Sequence, residues 1–159
     1  MYCASLDTPV GMLQMFADHQ SLYRIVFPGC VADMSRADSA PKDHPLLNRA
    51  ARQLMEYFNG SRHLFDLPLA PRGTPFQLAV WEEMQQIPYG KIRSYGEIAS
   101  SLGNPNKARA VGGAANINPL PIVTPCHRVM GASGSLTGFA GGIETKQFLL
   151  NLEKENAGG

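Results

Sequence analysis

The stretch PIVTPCHRVMG, residues 121–131, sets a cysteine, a histidine and an arginine side by side behind a proline. A cysteine thiolate is a strong nucleophile, and a neighbouring imidazole can take the proton that the thiol must lose. In a strand the two side chains would point to opposite faces. Thr124-Pro125 before Cys126 and Val129 after it predict a rigid, partly buried turn instead. In such a turn Cys126 and His127 lie on one side or are joined through a water. A free cysteine is more often a small buried hydrophobe than a catalyst, so the company of Cys126 is what singles it out. Asn118, ahead of Pro119-Leu120-Pro121, is placed to hold the turn through side-chain-to-backbone hydrogen bonds.

A third group comes from the last helical run, where Phe148, Leu149, Leu150 and Leu152 form an apolar arc. Glu153 projects near the centre of that arc, Lys146 falls at its edge, and Gln147 and Lys154 lie outside it. A carboxylate so placed is buried or paired, which is unusual for glutamate. Two readings are open for Glu153. It is a half-exposed helix-end residue, or it is the acid of a Cys126–His127–Glu153 relay that orients the imidazole and favours the thiolate.

The elements that must position these groups are short helices. Thr74 is an N-cap with Pro75 at the first helical position. Phe76, Val80, Met84 and Ile87 make one face, Trp81 lies beside it, and Pro88-Tyr89-Gly90 stops the helix. Ser94-Tyr95-Gly96-Glu97 has capping-box spacing and starts a helix that ends near Gly103. Asn104-Pro105 predicts a second cap and a helix to about Asn116, so the pair reads as a helix-turn-helix. Its second helix, NKARAVGGAAN, carries almost none of the long polar side chains that read bases in a major groove. Small residues instead let a backbone approach a surface closely, as in a minor groove. With Val111 packed inward, Arg109 points outward among small neighbours, either as an ordinary surface charge or as a contact residue.

Upstream, Tyr2–Leu6, Gly11–Ala17 and Leu22–Phe27 predict an antiparallel meander, and residues 31–42 a loop. A helix spans His44 to Asn59, with Leu47, Ala50, Ala51, Leu54, Met55 and Phe58 at helical spacing. DLPLAPRGTP, residues 66–75, holds three prolines and marks a boundary between domains at 1–72 and 73–159. A net charge of +1 excludes a strongly basic nucleic-acid coat while leaving room for a local binding face. Cys3, Cys30 and Cys126 form an odd set that argues against a disulfide framework. No metal-ligand spacing, signal segment or apolar run of about 20 residues occurs, so no metal, no membrane partner and a cytoplasmic location are expected.

The run NPLPIVTPCHRVMGASGSLTGFAGG, with FQLAVWEEMQQIPYGKIRSYGEIASSLGNPNKARAVGGAANINP before it, closely resembles the O6-alkylguanine-DNA alkyltransferases, also called methylated-DNA–protein-cysteine methyltransferases. The resemblance covers nearly all of residues 74–155, and its PCHRV signature is highly specific. Residues 1–70 match only in general pattern. The resemblance implies an α+β, two-domain protein: a small ribonuclease-H-like domain with an antiparallel sheet, then a mainly helical, winged-helix-like domain with a helix-turn-helix. It also implies repair of double-stranded DNA bearing O6-alkylguanine, bound through the minor groove, with no cofactor. The protein is expected to be a monomer that can cluster on DNA.

By position, Cys126 matches the alkyl acceptor, His127 its water-mediated base, Glu153 the acid paired with that base, and Asn118 the brace of the turn. Arg109 matches the residue that enters the stack when the nucleotide rotates out. Tyr95 matches the residue that crowds the phosphate and donates a proton towards the guanine ring. Ser94, Ala108, Gly112, Gly113 and Ala115 fall on the DNA-binding segment. Val129, Phe139, Ala140 and Ala115 line the base pocket, where the Cys126 and Val129 carbonyls meet the exocyclic amine and the Ala140 N–H meets the alkylated oxygen. Phe139 and Ala140 depart from members with tyrosine and serine there, and the zinc ligands of some members have no counterpart. Two other readings are a non-catalytic relative that senses alkylated DNA, against which Cys126 argues, and a Cys-His-Glu thiol hydrolase, which leaves the helix-turn-helix unexplained.

Overall fold

The computed structural model describes residues 1–30, 37–131, 139 and 141–157. The chain divides into two compact units, Met1–Arg72 and Gly73–Gly159. In the first, β1 (Tyr2–Thr8), β2 (Gly11–Ala17) and β3 (Leu22–Val26) form the antiparallel meander that the alternating runs predict. Gly11 makes the β1–β2 turn at φ 102°, a conformation that suits glycine, and an added Cβ would lie 2.7 Å from Pro28. A fourth strand, β4 (Asp38–Ser39), pairs parallel to β1 inside the segment read as loop. Two exposed polar residues joined through backbone alone leave no periodicity to read. Helix α1 (Pro45–Phe58) starts where His44 Nδ1 accepts a hydrogen bond from the Leu47 N–H at 3.1 Å. The core sets Leu47, Leu54 and Tyr57 of α1 alongside Leu13, Met15 and Leu22 of the sheet, all under 2% exposed.

The second unit is mainly helical. Helix α2 (Pro75–Gln85) begins with a full capping box between Thr74 and Gln77. It ends three residues before Pro88, because a residue preceding proline is pushed out of helical geometry and the last turn tightens to Ile87. Ile87 still packs inward at 1% exposure. Helix α3 (Tyr95–Ser101) starts on the Ser94/Glu97 capping box and closes at Gly103, φ 82°. Asn104, expected to cap the next helix, makes no side-chain cap bond. Pro105–Lys107 instead form a 3-10 turn that leads into α4 (Ala108–Asn116), which completes the helix-turn-helix. Short parallel strands β5 (Arg93–Ser94) and β6 (Val129–Met130) pair, and α5 (Ile143–Asn156) follows.

Val80, Trp81, Met84, Ile98, Val111 and Ala114 share one core with Cys126 and Val129. The Trp81 indole N–H donates to the Ala114 carbonyl at 2.9 Å, which locks α2 to α4. The buried stripe of α5 is narrower than the predicted arc: it is Lys146, Leu149 and Glu153, spaced i, i+3, i+7. Phe148, expected in the arc, is 38% exposed, and Leu150 and Leu152 are half-buried. The two charged residues occupy this stripe because they have partners inside.

Candidate active site

The turn ahead of Cys126 is held from several sides. The Asn118 amide donates to the Thr124 carbonyl at 2.8 Å and accepts from the Leu120 N–H at 3.0 Å. Gln85 of α2 donates to the Thr124 hydroxyl at 2.7 Å. Ile122 sits at φ 73° while only 1% exposed. For a β-branched residue this conformation costs on the order of 1–3 kcal/mol, so the surrounding bonds and packing must over-determine it. Pro125, at φ −80° and ψ 68°, makes an inverse γ-turn, and the Cys126 N–H donates to the Thr124 carbonyl at 2.8 Å. Cys126–Arg128 then wind into one 3-10 turn. Its neighbours are about 120° apart instead of opposed, so Cys126 and His127 need not face opposite ways as strand residues would.

His127 and Glu153 are 0% and 1% exposed, and His127 Nε2 meets Glu153 Oε2 at 2.5 Å. Arg128 closes on the same carboxylate: Nε donates to Oε1 at 2.7 Å, Nη2 to Oε2 at 3.0 Å, and Nη1 to the Ile87 carbonyl at 2.7 Å. The Gly90 N–H adds a donor to Oε1 at 3.1 Å. Burial alone would raise the Glu153 pKa, but the His127 and Arg128 hydrogen bonds and charges reverse this and hold it well below the usual carboxylate range. Burial lowers the His127 pKa, against the pull of Glu153. Burial pushes the Cys126 thiol up to about 11, opposed by a hydrogen bond from Asn118 and the charge of Lys146. The resting pair is therefore thiol and neutral imidazole. With Nε2 held by Glu153, Nδ1 is the ring nitrogen through which a proton can be exchanged.

Arg128 and Gly90 take part in this network although the sequence reading assigned them no role there, and Lys146 donates separately to the Val129 carbonyl at 2.7 Å. Arg128 stood inside the quoted triplet, and a cation within a buried turn was the available signal. Gly90 was read only as a helix stop. At φ 76°, with an added Cβ 2.6 Å from Ala157, it needs to be glycine to bring its N–H to Glu153.

On α4, Arg109 and Gly113 are exposed, Ala108 and Gly112 are half-buried, and Val111 is fully buried. Ala115 lies in the core at 5% exposure, off the outward face that carries Arg109. Tyr95 packs against the core, and a Cβ added at Gly112 would lie 3.7 Å from its ring. The Ser94 hydroxyl accepts from the Glu97 N–H at 3.0 Å as the α3 cap. Val129 is fully buried beside Cys126, Phe139 packs half-buried against the same core, and Ala140 lies outside the described residues. Among the described residues no group of three metal-binding side chains converges, and no helix is long and apolar enough to cross a membrane.

The family described as 6-O-methylguanine DNA methyltransferase, ribonuclease-like domain, matches residues 1–71, and that described as 6-O-methylguanine DNA methyltransferase, DNA binding domain, matches residues 75–155. The methylated-DNA–protein-cysteine methyltransferase of Methanosarcina acetivorans is 45% identical over 96% of this chain and 98% of its own length. The constitutive Bacillus subtilis enzyme of that name is 42% identical over 96% of this chain and 95% of its own. Among solved structures, Mycobacterium tuberculosis OGT in complex with DNA superposes with a TM-score of 0.92 at 42% identity, covering 98% of this chain and 94% of that one. The chain belongs to the 6-O-methylguanine DNA methyltransferase family.

Proposed function

We propose that this protein repairs DNA by direct reversal, moving the alkyl group of O6-alkylguanine onto Cys126. The observation that carries the reading is Cys126 at the head of a turn whose next residue, His127, is bonded to the buried carboxylate of Glu153. The Cys126 Sγ–H bond breaks as the proton passes to His127, and Sγ bonds the alkyl carbon. The carbon–O6 bond breaks with its electron pair leaving on the guanine, towards which Tyr95 donates a proton. The product is a thioether, which water has no easy way to cleave, whereas a thioester is hydrolysed. Each molecule therefore acts once. Cys126 disfavours the sensor reading, and the DNA-binding domain disfavours the hydrolase.

The target base must leave the stack before its alkyl carbon can meet the sulfur, at a cost of a few kcal/mol. The protein enters the minor groove through α4, and Arg109 fills the space the base vacates. The surface of α4 supports this. Gly113 has no atom within 4 Å of an added Cβ, so packing within the protein does not demand a glycine there. A glycine inside a helix costs about 1 kcal/mol relative to alanine, and close approach of a DNA backbone explains its use. Cys126→Ala should bind an O6-methylguanine duplex as the parent does and transfer no methyl to protein. Transfer that persists in Cys126→Ala contradicts the assignment.

A further inference from the structure

Gln85 is the last residue of α2 and lies outside the Cys126–His127–Glu153 relay. Although the residue is exposed, its amide Nε2 reaches inward and donates to the Thr124 hydroxyl at 2.7 Å. Thr124 is 3% exposed, so water does not readily replace that bond. The Thr124 carbonyl accepts from the Asn118 amide at 2.8 Å and from the Cys126 N–H at 2.8 Å. Thr124 is therefore gripped at its side chain from α2 and at its carbonyl from Asn118, and the nucleophile's own N–H hangs from that carbonyl. Two residues earlier, Ile122 sits at φ 73°, a backbone state that persists only where its surroundings fix it. Asn118 braces the turn from within the same segment, whereas Gln85 ties it to a separate helix. Four residues back on that face of α2, the Trp81 N–H donates to the Ala114 carbonyl of α4 at 2.9 Å. Successive side chains of one helix thus hold α4, read above as the DNA-entering helix, and the turn that carries the sulfur.

We propose that Gln85 is a positioning residue for alkyl transfer: through Thr124 it fixes the acceptor turn, so that the Cys126 sulfur is aimed before a substrate arrives. The proposal rests on the alkyl-transfer reading above. Gln85 touches neither the sulfur nor the substrate and moves no proton. Its contribution is geometric. In the step it assists, Sγ approaches the alkyl carbon in line with the carbon–O6 bond that breaks, and such displacements tolerate little misalignment. A misplacement of about 1 Å can cost on the order of a hundredfold in rate. Removing one of several restraints permits a smaller excursion, so a loss of about fivefold is expected in the transfer step. Binding of the substrate base does not depend on the aim of the sulfur, so the loss belongs to the saturating rate and not to the half-saturating concentration. A bond that served stability alone would lower the melting point and leave the folded protein's rate untouched.

Thr124→Val keeps the shape of the side chain and removes the hydroxyl, Gln85→Leu keeps a strong helix former and removes the amide, and Thr124→Ser keeps the hydroxyl. The readouts are thermal melting, hydrogen exchange of the Cys126 N–H by NMR, and single-turnover transfer from free O6-benzylguanine across its concentration range. Thr124→Val and Gln85→Leu should each melt as folded proteins, exchange the Cys126 N–H faster, and lower the saturating rate about fivefold with the half-saturating concentration near the parent's. The double variant should be no slower than either single one, because both remove the same bond. Thr124→Ser should retain most of the parent's rate. Folded variants with the parent's saturating rate overturn the proposal, and so do losses that multiply in the double variant. Single variants that both fail to fold overturn it too, since the bond is then structural. A parent that transfers no alkyl group sinks the alkyl-transfer reading itself, whereas a parent that transfers while both variants match it sinks only the role of Gln85.

Discussion

Cys126 and His127 enter the neutral pH range in a single protonation state, because burial moves the thiol up to about 11 and the imidazole below its ordinary 6.5. Thiol–imidazole and thiolate–imidazolium differ only in where one proton sits, so pH does not shift the balance between them. The rate of reaction with free O6-benzylguanine should therefore be flat from neutral pH to about pH 10 and should fall in acid, as His127 gains a proton and can no longer accept one. Stopped-flow measurement across this range checks it. A rate climbing about tenfold per unit towards pH 11 would mean that free thiolate reacts without His127. Glu153 holds the imidazole and stabilises the imidazolium, so Glu153→Gln should lower the flat rate by on the order of a hundredfold. Its binding to a damaged duplex, followed by fluorescence anisotropy, should change little. Equal rates in a folded Glu153→Gln and the parent would end the relay assignment.

At the scale of elements, α4 carries a stability sacrifice that its own packing does not require. Gly113→Ala should raise the stability of the fold by about 0.5–1 kcal/mol in a thermal or urea melt, since the methyl group meets open space. The same variant should bind duplex DNA more weakly, and unchanged affinity would remove the close-approach explanation. Arg109→Ala separates base flipping from phosphate attraction. It should slow repair of duplex O6-methylguanine severely and slow reaction with free O6-benzylguanine much less, because only the duplex requires an emptied stack. Equal parent-to-variant ratios on the two substrates would show that Arg109 does not serve flipping. Elements with caps were legible in the sequence: Thr74 and Ser94 start α2 and α3 with full capping boxes. Two short elements without such marks were not. Strand β4 is two residues joined by backbone bonds, and the 3-10 turn after Asn104 differs from a helix start by hydrogen-bond spacing that composition does not encode. The α5 stripe was misread towards Phe148 because hydrophobicity alone ranks Phe148 above Lys146, whereas burial of the lysine is decided by the Val129 carbonyl and the turn it faces.

Across the whole molecule, two compact units divide the work of the sequence unevenly. The unit Met1–Arg72 reads as a plain meander and helix, and nothing in its residues spells a reaction. The unit Gly73–Gly159 brings together Asn118, Cys126, His127 and Glu153, which lie up to 35 positions apart in the chain. Cys126, His127, Asn118 and Glu153 were legible because each is a residue type out of keeping with its surroundings. Arg128 and Gly90 were not, because their part is a hydrogen bond to Glu153 that only the folded chain reveals. The central claim is that this assembly delivers one alkyl group to one sulfur and then stops. It is tested most directly by exposing the intact protein to excess O6-methylguanine duplex and counting methyl groups by mass, with peptide mapping to locate them. The account predicts a plateau at one methyl per protein, carried on Cys126. Continued turnover beyond one equivalent, or methylation of Cys3 or Cys30 in its place, would contradict it.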